Sequence, residues 1–234
     1  MKLIDNSHIY NTQQNILVAV DCIIFGFTAN KLKLLLFKRK VAPAKGSWSL
    51  IGAFIKNDQS VDDGAKQILF ETTGLQNIYL EQSKTYGAVN RDSAERVISI
   101  AYYSLTSITE FELKSVEKYD AQWFDLDEIP ELIFDHNEMV SDAINTIKIR
   151  AKHQPAGFNL LPKYFTIPEL QSLYQAIYQR KLDTRNFRKK ILSLDILTKT
   201  VKKDKSGSKK GAFLYEFDKE KFEILLEKGL NFEV

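Results

Sequence analysis

Eight side chains in the first two thirds of the chain could line a binding pocket: Asp21, Arg39, Trp48, Glu71, Asn90, Arg91, Arg96 and His136. Asp21 interrupts the apolar run ILVAVDCIIFGF. A carboxylate there is costly without a partner or a ligand, unless it is a satisfied structural group at a strand edge. Arg39 and Trp48 flank a loop containing Pro43 and Gly46. Trp48 can stack on a base or a sugar face, or serve the core. Asn90, Arg91 and Arg96 occupy a polar loop, where they either clamp an anion or rest on a solvated turn. His136, beside Asp135, opens a helix in a structural or a functional role. A second set could reach nucleic acid. Arg185, Asn186, Arg188, Lys189 and Lys190 crowd one segment, and Lys202, Lys203, Lys205, Lys209 and Lys210 another. Lysine runs usually form a solvated surface. Concentration in two structural places at once favours phosphate contacts, which are salt-dependent because they release counterions. Arg185, Asn186 and Arg188 are assigned to base edges, since Arg pairs bidentately with guanine and Asn with adenine.

Charge divides the chain in the same way. Residues 1–157 carry 17 basic against 20 acidic side chains, and residues 158–234 carry 16 against 10. Within 180–210 the ratio is 12 to 3. A basic segment joined to a mildly acidic one predicts two domains, at 1–152 and 158–234, the second facing a polyanion. The hydrophobic content of 44% suffices for a buried core. One cysteine, Cys22, excludes a disulfide framework or a zinc cluster. MKLIDNSHIY is not a signal peptide, and the run broken by Asp21 is a strand rather than a membrane span. A cytoplasmic location without a membrane partner is expected.

Local patterns supply the elements. Residues 15–27 and 32–39 read as a hairpin, and 78–89, 97–107 and 122–126 as strands. In 52–75, Ser60 caps a helix, with Asp63 as the reciprocal member of a capping box. Val61, Ala65, Ile68 and Leu69 form its apolar face, and Gly74 ends it. Residues 136–152 form a second helix through Met139, Val140, Ala143, Ile144 and Ile147. Residues 152–159 are a linker. Pro168 then fits the first helical position, with Leu170, Leu173, Tyr174, Ile177 and Tyr178 on one face. A basic helix follows from Asp183 or Thr184, its apolar positions being Phe187, Ile191, Leu192 and Leu194. Two strands, 197–203 and 212–217, enclose a lysine-rich turn, and 219–228 is a final helix. Two helices, the second basic, then a hairpin, make a winged helix-turn-helix.

The 52–75 stretch resembles the Nudix box, the diphosphate-hydrolase signature G-x5-E-x7-R-E-U-x-E-E-x-G-U. Anchored on Thr73-Gly74-Leu75, the box glycine falls on Ala53, its first glutamate on Gln59 and its arginine on Gln67. The three metal-binding glutamates fall on Ile68, Glu71 and Thr72. One carboxylate of three remains, which argues against Mg²⁺-dependent hydrolysis. The flank GSWSLIG resembles the W-x-L-P-G-G entry to the box. This similarity implies an α+β chain: an N-terminal Nudix-like α/β/α sandwich, then the winged helix.

The combination TIPELQ…RNFRKK is similar to the Nudix-related transcriptional regulators. That resemblance implies a sensing N-terminal domain, a homodimer paired through it, and double-stranded operator DNA as partner. Some branches respond to ADP-ribose and control NAD synthesis, others to sugars such as L-arabinose. Loss of the box arginine and most of the acids leads us to expect a neutral pentose, a repressor of sugar catabolism and no cofactor. ADP-ribose as effector, and an active hydrolase, are the alternatives.

Overall fold

The computed structural model describes residues 15–154, 157–205 and 211–227. Its centre is a seven-stranded sheet. Strand β1 (Leu17–Thr28) runs parallel to β6 (Val97–Ser107) over their full length, from Leu17 opposite Val97 to Phe27 opposite Ser107. On its other edge β1 has two antiparallel partners. Its outer half pairs with β2 (Lys31–Lys38) and its first half with β4 (Ile51–Phe54). The short β3 (Trp48–Ser49) and β7 (Ala121–Asp125) pair with β2, and β5 (Glu81–Tyr86) pairs with β6.

Alternation along β1 explains the two layers. Ile23, Phe25 and Phe27 point one way with Leu34, Leu36 and Tyr103. Val20, Cys22 and Ile24 point the other way with Leu35 and Tyr102. Leu34, Leu35 and Leu36 are all fully buried, so β2 is covered on both faces, each leucine contributing about 1.5–3 kcal/mol. Helix α1 (Val61–Thr73) covers the second face through Ala65, Ile68 and Leu69. The Ser60 hydroxyl accepts from the Asp63 N–H at 3.1 Å and donates to the Asp63 carboxylate at 2.7 Å. The cap is therefore present, although the Asp63 side chain meets the hydroxyl rather than the backbone. Gly74, at φ 73°, closes the helix by donating to the Phe70 carbonyl.

Between β6 and β7 lies a short helix, α2 (Glu110–Ser115), that the sequence reading missed. Its signal was Thr109 and Glu112, a complete capping box. The first sheet face is covered by α3 (His136–His153) through Met139, Val140, Ala143, Ile147 and Ala151. This gives the expected α/β/α sandwich.

The C-terminal unit is the expected winged helix. Helix α4 (Ile167–Tyr178) has Thr166 as its cap and Glu169 as the reciprocal partner. Pro168 follows Ile167 rather than opening the helix. Helix α5 (Thr184–Ser193) is capped by Asp183. Strands β8 (Phe165–Thr166), β10 (Ala212–Phe217) and β9 (Leu197–Asp204) form the second sheet in that order, and α6 spans Lys219–Glu227. Phe187 and Ile191 are buried as expected, but Leu192 is exposed: a ten-residue helix with one buried stripe turns Leu192 out of it. The two units share one apolar core, in which Phe158, Leu170 and Tyr174 join Leu34, Leu36 and Ala143. The Tyr178 hydroxyl donates to the Ala151 carbonyl at 3.1 Å.

Candidate functional site

Asp21 is buried, on the face of β1 that looks toward the start of α3. The Ser99 hydroxyl on β6 donates to its Oδ2 at 2.5 Å. The Arg91 guanidinium lies 3.5 Å from the same oxygen, with its side chain only 3% exposed. Arg91 also makes two bonds, of 2.9 and 2.8 Å, to Asp135. His136 accepts the Leu50 N–H on Nδ1 at 3.1 Å, which puts its proton on Nε2, 3.6 Å from Asp21 Oδ1. Burial lowers the His136 pKa against the raising effect of Asp21, so the imidazole is neutral. Gly52 stands opposite Asp21 across β1 and β4. A Cβ there would fall 2.1 Å from Asp21 Oδ1, so a side chain at 52 and the carboxylate at 21 exclude each other.

This network floors a tight cleft of about 50 Å³ lined by Asp21, Arg39, Ser49, Arg91, Phe134 and His136. A larger cleft of about 340 Å³ adjoins it, with Lys40, Glu71, Thr72 and Tyr119 in its wall. Arg39, Gly52, Ala53 and Phe54 line both. Arg39 donates from Nε to the Pro43 and Val41 carbonyls at 2.7 and 3.2 Å, and its guanidinium lies 5.4 Å from the Phe134 ring centre. The cationic groups of the cleft therefore come from the end of β2 and from the loop before β6, not from α1. The expectation of a neutral ligand rests on the box positions and gives no weight to Arg39 and Arg91, although both stand among the candidate pocket residues.

The box positions keep one charged group, Glu71, within a chain of amides. Gln59 donates to Gln67, and Gln67 to Glu71, at 2.6 Å each. Ile68, at the first metal-binding position, is buried in the core under the helix. Glu71 is the one acid left among the three positions. Among the described residues no group of three or more His, Cys, Asp or Glu is placed to hold a metal ion. The residues present do not fit the Mg²⁺ that the box ordinarily holds.

Of the eight candidate pocket residues, Asp21, Arg39, Arg91 and His136 converge on the smaller cleft and Glu71 lies on the larger. Trp48 does not line either. Adjacent strand residues face opposite ways, so Ser49 meets His136 while Trp48 packs edge-on against Phe124 at 4.8 Å. Arg96 braces its own loop by donating to the Ala88 and Val97 carbonyls. Asn90 is exposed in a neighbouring groove, beside Tyr86 and Glu138, which shares Arg91 with the smaller cleft. Ser99, Phe134 and Lys40 were missed. Ser99 is a hydroxyl in the apolar first half of β6, a signal available in the sequence. Nothing local marks Phe134.

In the winged helix, Arg185, Asn186, Arg188 and Lys189 are exposed along α5 and Lys190 is half-buried. On the wing, Lys202, Lys203 and Lys205 are exposed. Lys203 leans over Phe213 at 4.4 Å and Lys202 toward Tyr164 at 5.8 Å. Lys209 and Lys210 lie outside the described residues.

Two family profiles match. The NUDIX domain covers residues 16–143 and the NrtR DNA-binding winged helix domain covers 157–217. The chain is 26% identical to the ADPR-responsive transcriptional repressor NtrR of Acinetobacter baylyi, over 92% of this chain and 88% of that one. It is 34% identical to the ADP-ribose pyrophosphatase of Methanocaldococcus jannaschii, over 53% of this chain and 71% of that one. The crystal structure of Shewanella oneidensis NrtR with a 27mer DNA superposes with a TM-score of 0.70, at 26% identity, covering 88% of this chain and 95% of that one. The arabinose branch expected from the sequence finds no support in these likenesses. The chain belongs to the NUDIX domain family and carries an NrtR-type winged helix behind its NUDIX domain.

Proposed function

We propose that this protein is a transcriptional repressor whose NUDIX domain binds ADP-ribose without hydrolysing it and whose winged helix binds operator DNA. The observation that carries this is the likeness to the Acinetobacter repressor across both domains. The cleft supports it. Arg39 and Lys40 line the larger cleft, and Arg39 reaches into the smaller one, which suits a diphosphate better than a neutral pentose. Arg185, Asn186 and Arg188 read bases, and Lys189, Lys190 and the wing lysines hold phosphates. The protein acts in the cytoplasm as a homodimer, and its two winged helices read half-sites about 34 Å apart.

A gel shift on DNA from the region upstream of its own gene tests this. ADP-ribose should release the complex, while L-arabinose and other pentoses leave it intact. Release by a pentose alone would refute the proposal. The likeness to a pyrophosphatase favours hydrolysis as the second reading. Mg²⁺-dependent ADP-ribose turnover that Glu71→Ala abolishes would establish it.

A further inference from the structure

The Arg91–Asp135 pair sits where the cleft meets the start of α3, and it occupies the group that would otherwise cap that helix. Asp135 stands at the N-cap position, yet no side chain caps α3. Its carboxylate faces Arg91 instead. Asp is among the side chains that best satisfy the free N–H groups of a first turn. Asp135 therefore has two mutually exclusive partners. Arg91 has a choice as well, because it lines the cleft beside Arg39 and Phe134, where an anion would compete for its guanidinium. If Arg91 leaves, Asp21 keeps the Ser99 hydroxyl and the His136 Nε2 proton nearby. At the far end of α3, about 27 Å away for its 18 residues, Ala151 accepts from Tyr178 of the winged helix.

We propose that Arg91 and Asp135 form a two-position switch that couples an anionic effector in the cleft to the winged helix. In one position Arg91 holds Asp135 and α3 is uncapped. In the other the anion holds Arg91, and Asp135, whose backbone now stands at φ −97° and ψ 15°, swings to the extended conformation of a capping residue and caps α3. The helix carries the change of its first turn to Tyr178. The anion makes different contacts in the two positions, as any ligand that shifts an equilibrium must. The proposal rests on the repressor reading above, with ADP-ribose as the anion.

Arg91→Met in the full chain removes the guanidinium without any ligand. Amide exchange at Asn137 and Glu138, the second and third residues of α3, is expected to slow, because the Asp135 carboxylate now caps them. Affinity for the upstream DNA should fall without effector, by about five-fold or more, within the usual range of allosteric coupling. Adding Asp135→Ala removes the cap and should return DNA affinity toward that of the unaltered chain. A merely structural ion pair predicts the reverse: faster exchange at Asn137 and Glu138, and DNA binding that the double variant weakens further. That result, or unchanged exchange and affinity in Arg91→Met, overturns the switch. If ADP-ribose has no effect on the unaltered chain while Arg91→Met behaves as expected, the effector reading falls and the switch stands.

Discussion

Replacing Arg39 is expected to weaken ADP-ribose binding about 10- to 150-fold, with no dependence on Mg²⁺. The side chain lines both clefts. Its Nε serves the Pro43 and Val41 carbonyls, which leaves the two terminal nitrogens for a ligand. Hydrogen bonds from a charged group contribute about 1.5–3 kcal/mol, and each 1.4 kcal/mol is tenfold in Kd. No comparable contribution is expected from a metal. Glu71 is the one acid left at the box positions, and its carboxylate already accepts the Gln67 amide. Isothermal titration with ADP-ribose should give the same Kd in EDTA and in Mg²⁺, and a much weaker one for Arg39→Ala. Arg39→Lys should recover part of the loss, because charge returns without the fork geometry. A tenfold weaker affinity in EDTA, or an Arg39→Ala variant that binds normally, would refute the reasoning.

Gly52→Ala would place a Cβ 2.1 Å from Asp21 Oδ1 and 2.7 Å from the Val20 carbonyl; overpacking of this kind costs about 1–3 kcal/mol, to be read as a lower urea midpoint. His136 imposes a pH dependence. Burial depresses its folded pKa, so the unfolded chain takes the proton first as pH falls. Its contribution is intact above about pH 6.5, the unperturbed value, and is lost below it, by at most about 1.4 kcal/mol per pH unit. Urea melts across pH 5–8 should show this slope, and His136→Gln should flatten it. On DNA, Lys202→Ala should lower the slope of log K against log salt by about 0.9 and weaken all sequences alike. Asn186→Ala should instead relax discrimination at one base pair by about 1–3 kcal/mol. Equal effects of the two substitutions would count against the division of roles between wing and helix.

Periodicity and capping residues were enough to locate most elements. Ser60, Gly74 and Asp183 are local signals, and each does locally what its type and position require; Thr166 with Glu169 is a capping box of the same kind, visible in the sequence but not used to place the helix, whose start was read from Pro168. The winged helix was legible for the same reason, since basic residues placed on one short helix and one hairpin stay at the surface in any packing. The loss of box acids at Gln59, Ile68 and Thr72 was equally a property of the sequence. What the tertiary structure decided was convergence. Asp21, Ser99, Arg91 and His136 come from four separated segments, and only the parallel pairing of β1 with β6 and the docking of α3 bring them together. The charge of the cleft was decided the same way: Arg39, suggested by its residue type, and Lys40 line the cleft beside the box helix but lie outside the box, so the motif alone gave no sign of them. Trp48 and Arg96, equally suggestive as residue types, were turned to packing and to loop bracing, because strand direction and loop closure assign each side chain to one side only.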